Sequence, residues 1–379
     1  MHICFLSGEY PHSDYPHGGI GTFLQSLGRF LVKKEIKVTV IGIGYTFKDE
    51  EEDDEGVKVI RLKKSNWFKF SFIDNSLRIN KTLKKLNANN PIDIIEGTEL
   101  AFAFIQKLNL PRYLIRLHGG HHFFAEAEKR SINWWKGFQE KRSFKKADAI
   151  VGVSHYVVKQ TSKFISFNYK LKGIVFYPVN LDRFHLANFS LADKGTIFFA
   201  GTVCEKKGIR QLIQAMPKIK SEIPEVHLII AGRDWLFPDS GKSYLEYVSQ
   251  YIDSSVKDNI TFLGPISNAE IPKHIESAEV CCFPSHMETF GIVSIEAMAM
   301  AKPLVYTKMG PGSEVVRDGL TGLLCDPHSP DDIADKVIYL LKHPIEANKM
   351  GEKAREFVLQ NFSLNVIGQK NIELYNSLL

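Results

Sequence analysis

The sequence lacks the marks of several protein classes. No uninterrupted apolar run approaches the roughly 20 residues a bilayer-spanning helix needs. The opening residues, Met1-His2-Ile3-Cys4-Phe5-Leu6-Ser7, carry neither the basic region nor the apolar core of a secretory signal and read as a first strand. Cysteine is scarce: five residues, with no Cys-x-x-Cys spacing. Cys281 and Cys282 are neighbours in an apolar run, and adjacent cysteines rarely pair. All five are expected to be reduced, core or near-core residues of a cytosolic protein. No His/Cys cluster has the spacing of a zinc site. The glycine run Gly18-Gly19-Ile20-Gly21 is not Gly-x-Gly-x-x-Gly, so dinucleotide binding is not indicated.

What is present is the composition of a soluble globular chain, 44% hydrophobic and 24% charged, and 379 residues suffice for two domains. The net charge of +5 hides an asymmetry. Residues 1–180 hold 28 Lys and Arg against 18 Asp and Glu, a balance of +10, and the remainder holds 20 against 25, a balance of −5. A basic first half suits an anionic partner.

Strand and helix patterns alternate along the chain. Apolar runs at 3–7, 38–43, 57–62, 92–96, 113–118 and 149–153 predict a first set of strands, and the acidic run 49–55 reads as a solvated loop. A second set follows at 196–200, 226–231, 260–263, 279–283 and 303–306. Strands separated by helices predict an α/β fold with parallel sheets. Ligands in such sheets sit at the carboxyl ends of the strands.

The segment with most chemistry is Glu288-Thr289-Phe290-Gly291-Ile292-Val293-Ser294-Ile295-Glu296. Carboxylates accept paired hydroxyl hydrogen bonds, and free amides at a helix start attract phosphate. A Glu in a loop, amides at Phe290, Gly291 and Ile292, and Glu296 two turns on would hold a sugar, a diphosphate and a ribose in line. This Glu-x7-Glu spacing, with Ala297-Met298-Ala299-Met300-Ala301 and Gly310-Pro311-Gly312-Ser313-Glu314 after it, resembles the signature of retaining glycosyltransferases of family 4. The resemblance spans nearly the whole chain and is strongest over 196–330.

The resemblance implies two Rossmann-like domains with parallel sheets facing across a deep cleft, the GT-B fold. The expected division is 1–185 for the acceptor side and 190–362 for the nucleotide-sugar side, with a last helix over 363–379 returning to the first domain. The linker is Tyr177-Pro178-Val179-Asn180-Leu181-Asp182-Arg183-Phe184. The resemblance also implies that a hexose passes from a nucleotide sugar to a glycan or lipid-linked acceptor, in surface polysaccharide or glycolipid synthesis. No cofactor or metal is expected, and the Asp-x-Asp of the other large glycosyltransferase fold is missing.

Site residues follow by position. His118 ends an apolar strand before Gly119-Gly120, where the family has a His beside the donor sugar. Together with Glu288 it forms the expected reaction centre. Gly19 opens a helix where the family contacts phosphate and sugar. Lys207 matches the Lys of the family's Gly-Arg-Leu…Lys-Gly loop, while Thr202 stands where its Arg belongs. A hydroxyl cannot replace bidentate guanidinium contact. Arg233, just past a strand, and Arg210 are the candidate replacements. Pro265, after Gly264, marks the backbone contact to the base, and Glu296 the ribose. Ser154 reads as a helix cap.

Two stretches interleave cations with aromatics. Residues 61–85 have eight Lys and Arg against one acid, with Trp67, Phe68, Phe70 and Phe72. Residues 129–146 have seven against one, with Trp134, Trp135, Phe138 and Phe144. They suit either an anionic membrane surface or helices with an aromatic core side. Nucleic acid is not expected as a partner, since no binding motif accompanies the charge. The expected location is the cytoplasm, peripheral at the inner face of the membrane. Two alternatives stay open: another enzyme of the same fold, such as a nucleotide-sugar epimerase or sugar phosphorylase, and a non-catalytic partner subunit.

Overall fold

The computed structural model describes residues 1–12, 18–44, 48–66 and 71–379. Its polypeptide forms two units, Met1–Pro178 with Leu364–Leu379, and Val179–Ser363. Residues 179–185, expected with the first unit, fold with the second. Val179 N–H donates to Phe362 O at 2.8 Å and Arg183 bonds to Asn268 O.

The first unit carries an eight-stranded sheet. Its strands are β1 (His2–Leu6), β2 (Lys37–Ile43), β3 (Glu50–Asp54), β4 (Val57–Leu62), β5 (Ile94–Gly97), β6 (Arg112–Leu117), β7 (Ala149–Gly152) and β8 (Leu171–Ile174), in the order β3-β4-β2-β1-β5-β6-β7-β8. Every residue of β1 is buried, as a strand covered on both faces requires. All neighbours pair in parallel except β3 with β4.

That exception corrects the reading of 49–55 as a loop. The acidic run is an edge strand because its carboxylates meet cations. Glu52 pairs with Arg61 at 2.5 Å and Glu51 with Lys58 at 2.9 Å across β3 and β4, and Asp54 accepts from Arg29 and Tyr10. An edge strand made wholly of acids also resists pairing with other chains.

The last helix, Leu364–Asn376, belongs to the first unit. Arg116, fully buried, donates to Glu96 Oε1 at 2.6 Å and to Asn371 Oδ1 at 2.6 Å, and Tyr375 O–H donates to Glu96 Oε2 at 2.8 Å. Gly368 leaves no room for a Cβ, which would stand 2.3 Å from the Phe30 ring.

The second unit holds an all-parallel sheet of β9 (Thr196–Ala200), β10 (His227–Ala231), β11 (Ile260–Gly264), β12 (Val280–Phe283), β13 (Leu304–Thr307) and β14 (Leu323–Cys325), in the order β11-β10-β9-β12-β13-β14. The chain winds outward from β9, then crosses back to β12 on its other side. The switch point lies between β9 and β12, and in the first sheet between β1 and β5. All five cysteines are free and buried. Among the described residues no helix is long and apolar enough to cross a membrane.

Candidate functional site

The loops that leave β9 and β12 meet at the switch point of the second unit. Lys207 Nζ lies 2.5 Å from Glu288 Oε1, which also accepts from Ser285 Oγ at 2.9 Å. The loop backbones are zipped together. His286 N–H donates to Lys206 O at 2.9 Å, and Gly208, at φ +70°, sits so close to Pro284 O that a Cβ would meet it at 1.8 Å. The sequence separates this Lys and Glu by 81 residues, yet the crossover brings both to one strand edge.

Past Glu288 the chain turns through Gly291, at φ +89°, into the helix Ile292–Ala299. A Cβ at Gly291 would stand 1.9 Å from Tyr306 Oη, so glycine is required twice over, by conformation and by space. The Phe290 side chain is fully buried, edge-on to Phe362, and its carbonyl accepts from Tyr306 O–H at 3.0 Å. Phe290 can therefore offer a ligand only backbone. No side chain caps the helix: Ser294 N–H turns back to Gly291 O at 3.1 Å, and no capping side chain takes the amides of Ile292 and Val293.

Glu296, about one turn into this helix, makes no side-chain hydrogen bond among the described residues. Burial pushes its carboxyl up to about 7, although the Arg183 guanidinium acts the other way. Arg183 comes from the linker, a neighbour that sequence reading did not supply. Proximity across 113 positions has no local signature.

Arg233 and Pro265 stand exposed past the ends of β10 and β11. The Arg233 side chain has no hydrogen bond or ion pair among the described residues. Arg210 is engaged by Glu205, with Nη2 2.6 Å from Oε1 and Nε 3.0 Å from Oε2. Burial opposes charge on Glu205, but hydrogen bonds from Arg210, Tyr244 and Gln211 prevail and hold it at about 2.

In the first unit Gly19 begins the helix Gly19–Lys33, behind β1, with no side-chain cap. His118 follows β6. It bonds to Tyr177 Oη through Nδ1 and stacks on that ring, with centroids 5.7 Å apart. Burial, then the charge of Arg116, pushes its pKa down to about 3, so the ring is neutral. The neighbouring glycines are clamped by two carboxylates. Gly119 N–H donates to Glu99 Oε1 at 2.7 Å, and a Cβ on Gly120 would stand 1.7 Å from Glu140 Oε1. Glu99 is pushed up to about 8 by burial, with Glu140 adding to the shift. His122 is spoken for by Glu140, at 2.5 Å, and His121 Nε2 accepts from Asn133 N–H at 2.9 Å. Ser154 caps its helix through Val157 N–H at 3.1 Å.

The cation-aromatic stretches change character in three dimensions. Trp67, Phe68, Lys69 and Phe70 lie outside the described residues. Arg61 is buried and Lys146 donates to backbone carbonyls, so neither is a free surface charge. Phe144 is core. Phe72 meets Trp135 edge-on at 5.3 Å, which joins the helix Ser71–Asn89 to the helix Trp134–Lys146, and Trp134, Trp135 and Phe138 stack outward.

Comparison with known proteins agrees with this architecture. Residues 17–170 match the family model described as Glycosyltransferase Family 4, and 183–357 match Glycosyl transferases group 1. An uncharacterized glycosyltransferase of Methanocaldococcus jannaschii is 27% identical over 92% of this chain and 92% of its own. A GDP-mannose-dependent alpha-(1-6)-phosphatidylinositol monomannoside mannosyltransferase of Mycobacterium tuberculosis is 25% identical over 94% of this chain and 95% of its own. The fold of sucrose-phosphate synthase from Thermosynechococcus elongatus superposes with a TM-score of 0.85 at 22% identity, covering 100% of this chain and 98% of that one. Both halves of the sequence and both sheets thus lead to one conclusion: the chain belongs to the family-4, group-1 glycosyltransferases of the GT-B fold.

Proposed function

We propose that the chain transfers a hexose from a nucleotide-sugar donor to a glycan or lipid-linked acceptor, retaining anomeric configuration and using no metal. The observation that carries this reading is the Lys207–Glu288 pair at the switch point beside an uncapped helix start. An ammonium and the uncapped amides of a helix start suit a leaving diphosphate, whose charge grows as the sugar departs. Glu288 then addresses sugar hydroxyls and Glu296, without a side-chain hydrogen bond among the described residues, the ribose. Pro265 and the backbone around it take the base. In the first unit, Gly19 backs the phosphate and sugar, and neutral His118 faces the sugar without adding charge.

The mycobacterial relative, named for a phosphatidylinositol-linked acceptor and a GDP-mannose donor, supports a lipid-linked acceptor and a hexose. The aromatic and cationic surface of the first unit supports an anionic membrane as the place of reaction, in polysaccharide or glycolipid synthesis at the inner face of the membrane.

A thermal-shift screen against UDP-, GDP-, ADP- and dTDP-sugars tests the reading. A donor at a hundred times its dissociation constant stabilises the fold by about 2.7 kcal/mol. Transfer to acceptor should then persist in EDTA. No stabilisation by any donor would leave the non-catalytic subunit as the better reading. Slow isomerisation of a donor without acceptor would favour the epimerase.

A further inference from the structure

We infer that Arg233 supplies the diphosphate-binding guanidinium that the chain lacks at Thr202. The inference rests on the donor reading above and names a residue of that site. Strands β9 and β10 pair in a register that runs from Thr196 with His227 to Ala200 with Ala231. The pairing continues past the strand ends. Gly201 N–H donates to Ala231 O at 2.9 Å, Val203 N–H donates to Arg233 O at 2.9 Å, and Val203 bridges Asp234. The register is the same on both sides of the loop, so Thr202 stands level with Arg233 on the neighbouring segment. Paired segments run about 4.8 Å apart, a gap that a long Arg side chain spans.

Two glycines hold this alignment. Gly201 and Gly232 have φ of +152° and +158°, and a Cβ on Gly232 would meet Gly201 O at 1.8 Å. The backbones touch where side chains are missing, which fixes Thr202 and Arg233 in the next step of both loops. Arg233 is exposed, and its carboxylate neighbour Asp234 is occupied by Leu245 N–H at 2.9 Å. The other candidate, Arg210, is committed to Glu205. Among the described residues the Arg233 guanidinium thus has no partner, and it stands level with the position the sequence left short of charge. A planar fork binds two phosphate oxygens at once, which a Thr hydroxyl cannot do.

Calorimetry on the full chain with UDP, GDP, ADP and inorganic pyrophosphate tests this. Arg233→Ala and Arg233→Gln should each weaken the diphosphate that binds the wild type by about tenfold to a hundredfold. Arg210→Ala should change it by less than about threefold. The double variant Thr202→Arg/Arg233→Ala should recover most of the loss, because it returns the fork one strand over. Melting temperatures near that of the wild type check that the variants are folded. Wild-type affinity in both Arg233 variants would overturn the inference, as would failure of the folded double variant to recover binding. Absence of binding by the wild type to any nucleoside diphosphate would instead sink the donor reading itself.

Discussion

Lys207 and Glu288 neutralise one another, 2.5 Å apart and both largely shielded, with side-chain exposures of 23% and 11%. The lysine expected to meet the diphosphate is therefore already paired with the carboxylate expected to meet the sugar. Donor binding has to exchange that partner for phosphate oxygens, and the carboxylate is then free to turn to sugar hydroxyls. The two roles are coupled through one ion pair.

A first prediction follows from that coupling. In Glu288→Gln the ammonium loses its competitor, so free nucleoside diphosphate should bind as well as in the wild type or up to about tenfold more tightly. Turnover should still fall by about tenfold or more, since the sugar gains positive charge as its bond to phosphate breaks and the anion opposite is lost. Lys207→Ala should instead weaken diphosphate binding by about tenfold to a hundredfold. Parallel titration and steady-state kinetics separate the cases, and loss of diphosphate affinity in Glu288→Gln would refute the coupling.

A second prediction concerns pH. Burial brings the Glu296 carboxyl to about 7. The ionised form accepts hydrogen bonds from both ribose hydroxyls, one on each oxygen and more strongly than the neutral acid, so below that value binding favours removal of its proton. Diphosphate affinity should be flat above pH 7 and fall by up to about tenfold per unit below it. Glu296→Gln should bind more weakly at pH 8 and lose this dependence. Because the ribose does not change during transfer, KM for the donor should rise more than kcat falls. An unchanged pH profile in the variant would remove Glu296 from the ribose.

The alternation of strands, the Lys207 loop, the Glu288 segment and the capping role of Ser154 were legible because each is written locally, in periodicity or in a short spacing. Residues 50–54 were misread because a run of five acids looks solvated until Arg61 and Lys58 are seen beside it. Strands β8 and β14 escaped notice because Leu171–Ile174 and Leu323–Cys325 are too short to show a period. Tyr177 behind His118, Arg183 near Glu296 and Asn371 on Arg116 are tertiary partners, separated from their targets by 59, 113 and 255 positions. Nothing in a single sequence records such pairs. Arg233 lies between the two cases: its type and its place after a strand were visible, and the register that aligns it with Thr202 was not.

A third prediction is a stability profile. Glu99 has an ordinary value of 4.5 and about 8 in the folded chain. The folded state therefore keeps a proton that the unfolded state has released. This contribution is full below pH 4.5 and is lost as pH rises through 8. Glu296 acts in the same direction but is exhausted near 7. Between pH 7 and 8.5 the decline in melting temperature should belong chiefly to Glu99. Glu99→Gln keeps an acceptor for Gly119 N–H and should flatten the profile in that window. An equally steep decline in the variant would mean that other groups set it.

The fourth prediction tests the membrane. Trp134 is 77% exposed, Ile132 43% and Phe138 42%, on or beside a helix that also presents Lys136, Lys141 and Lys145 to solvent. Bare stacked rings flanked by cations match the boundary of an anionic bilayer, where rings enter the headgroup layer and each cation adds about 1 kcal/mol. The full chain should co-sediment with phosphatidylserine vesicles at low salt and much less with neutral ones. Raising ionic strength shortens the screening length to about 8 Å at 0.15 M and should weaken the association. Lys136→Glu/Lys141→Glu should mimic high salt, whereas Trp134→Ser/Phe138→Ser should reduce binding at every salt concentration because ring insertion is not screened. Both variants change exposed side chains and should melt near the wild type. If the wild type stays in the supernatant at low salt, the patch is not a membrane anchor and the acceptor is delivered from solution.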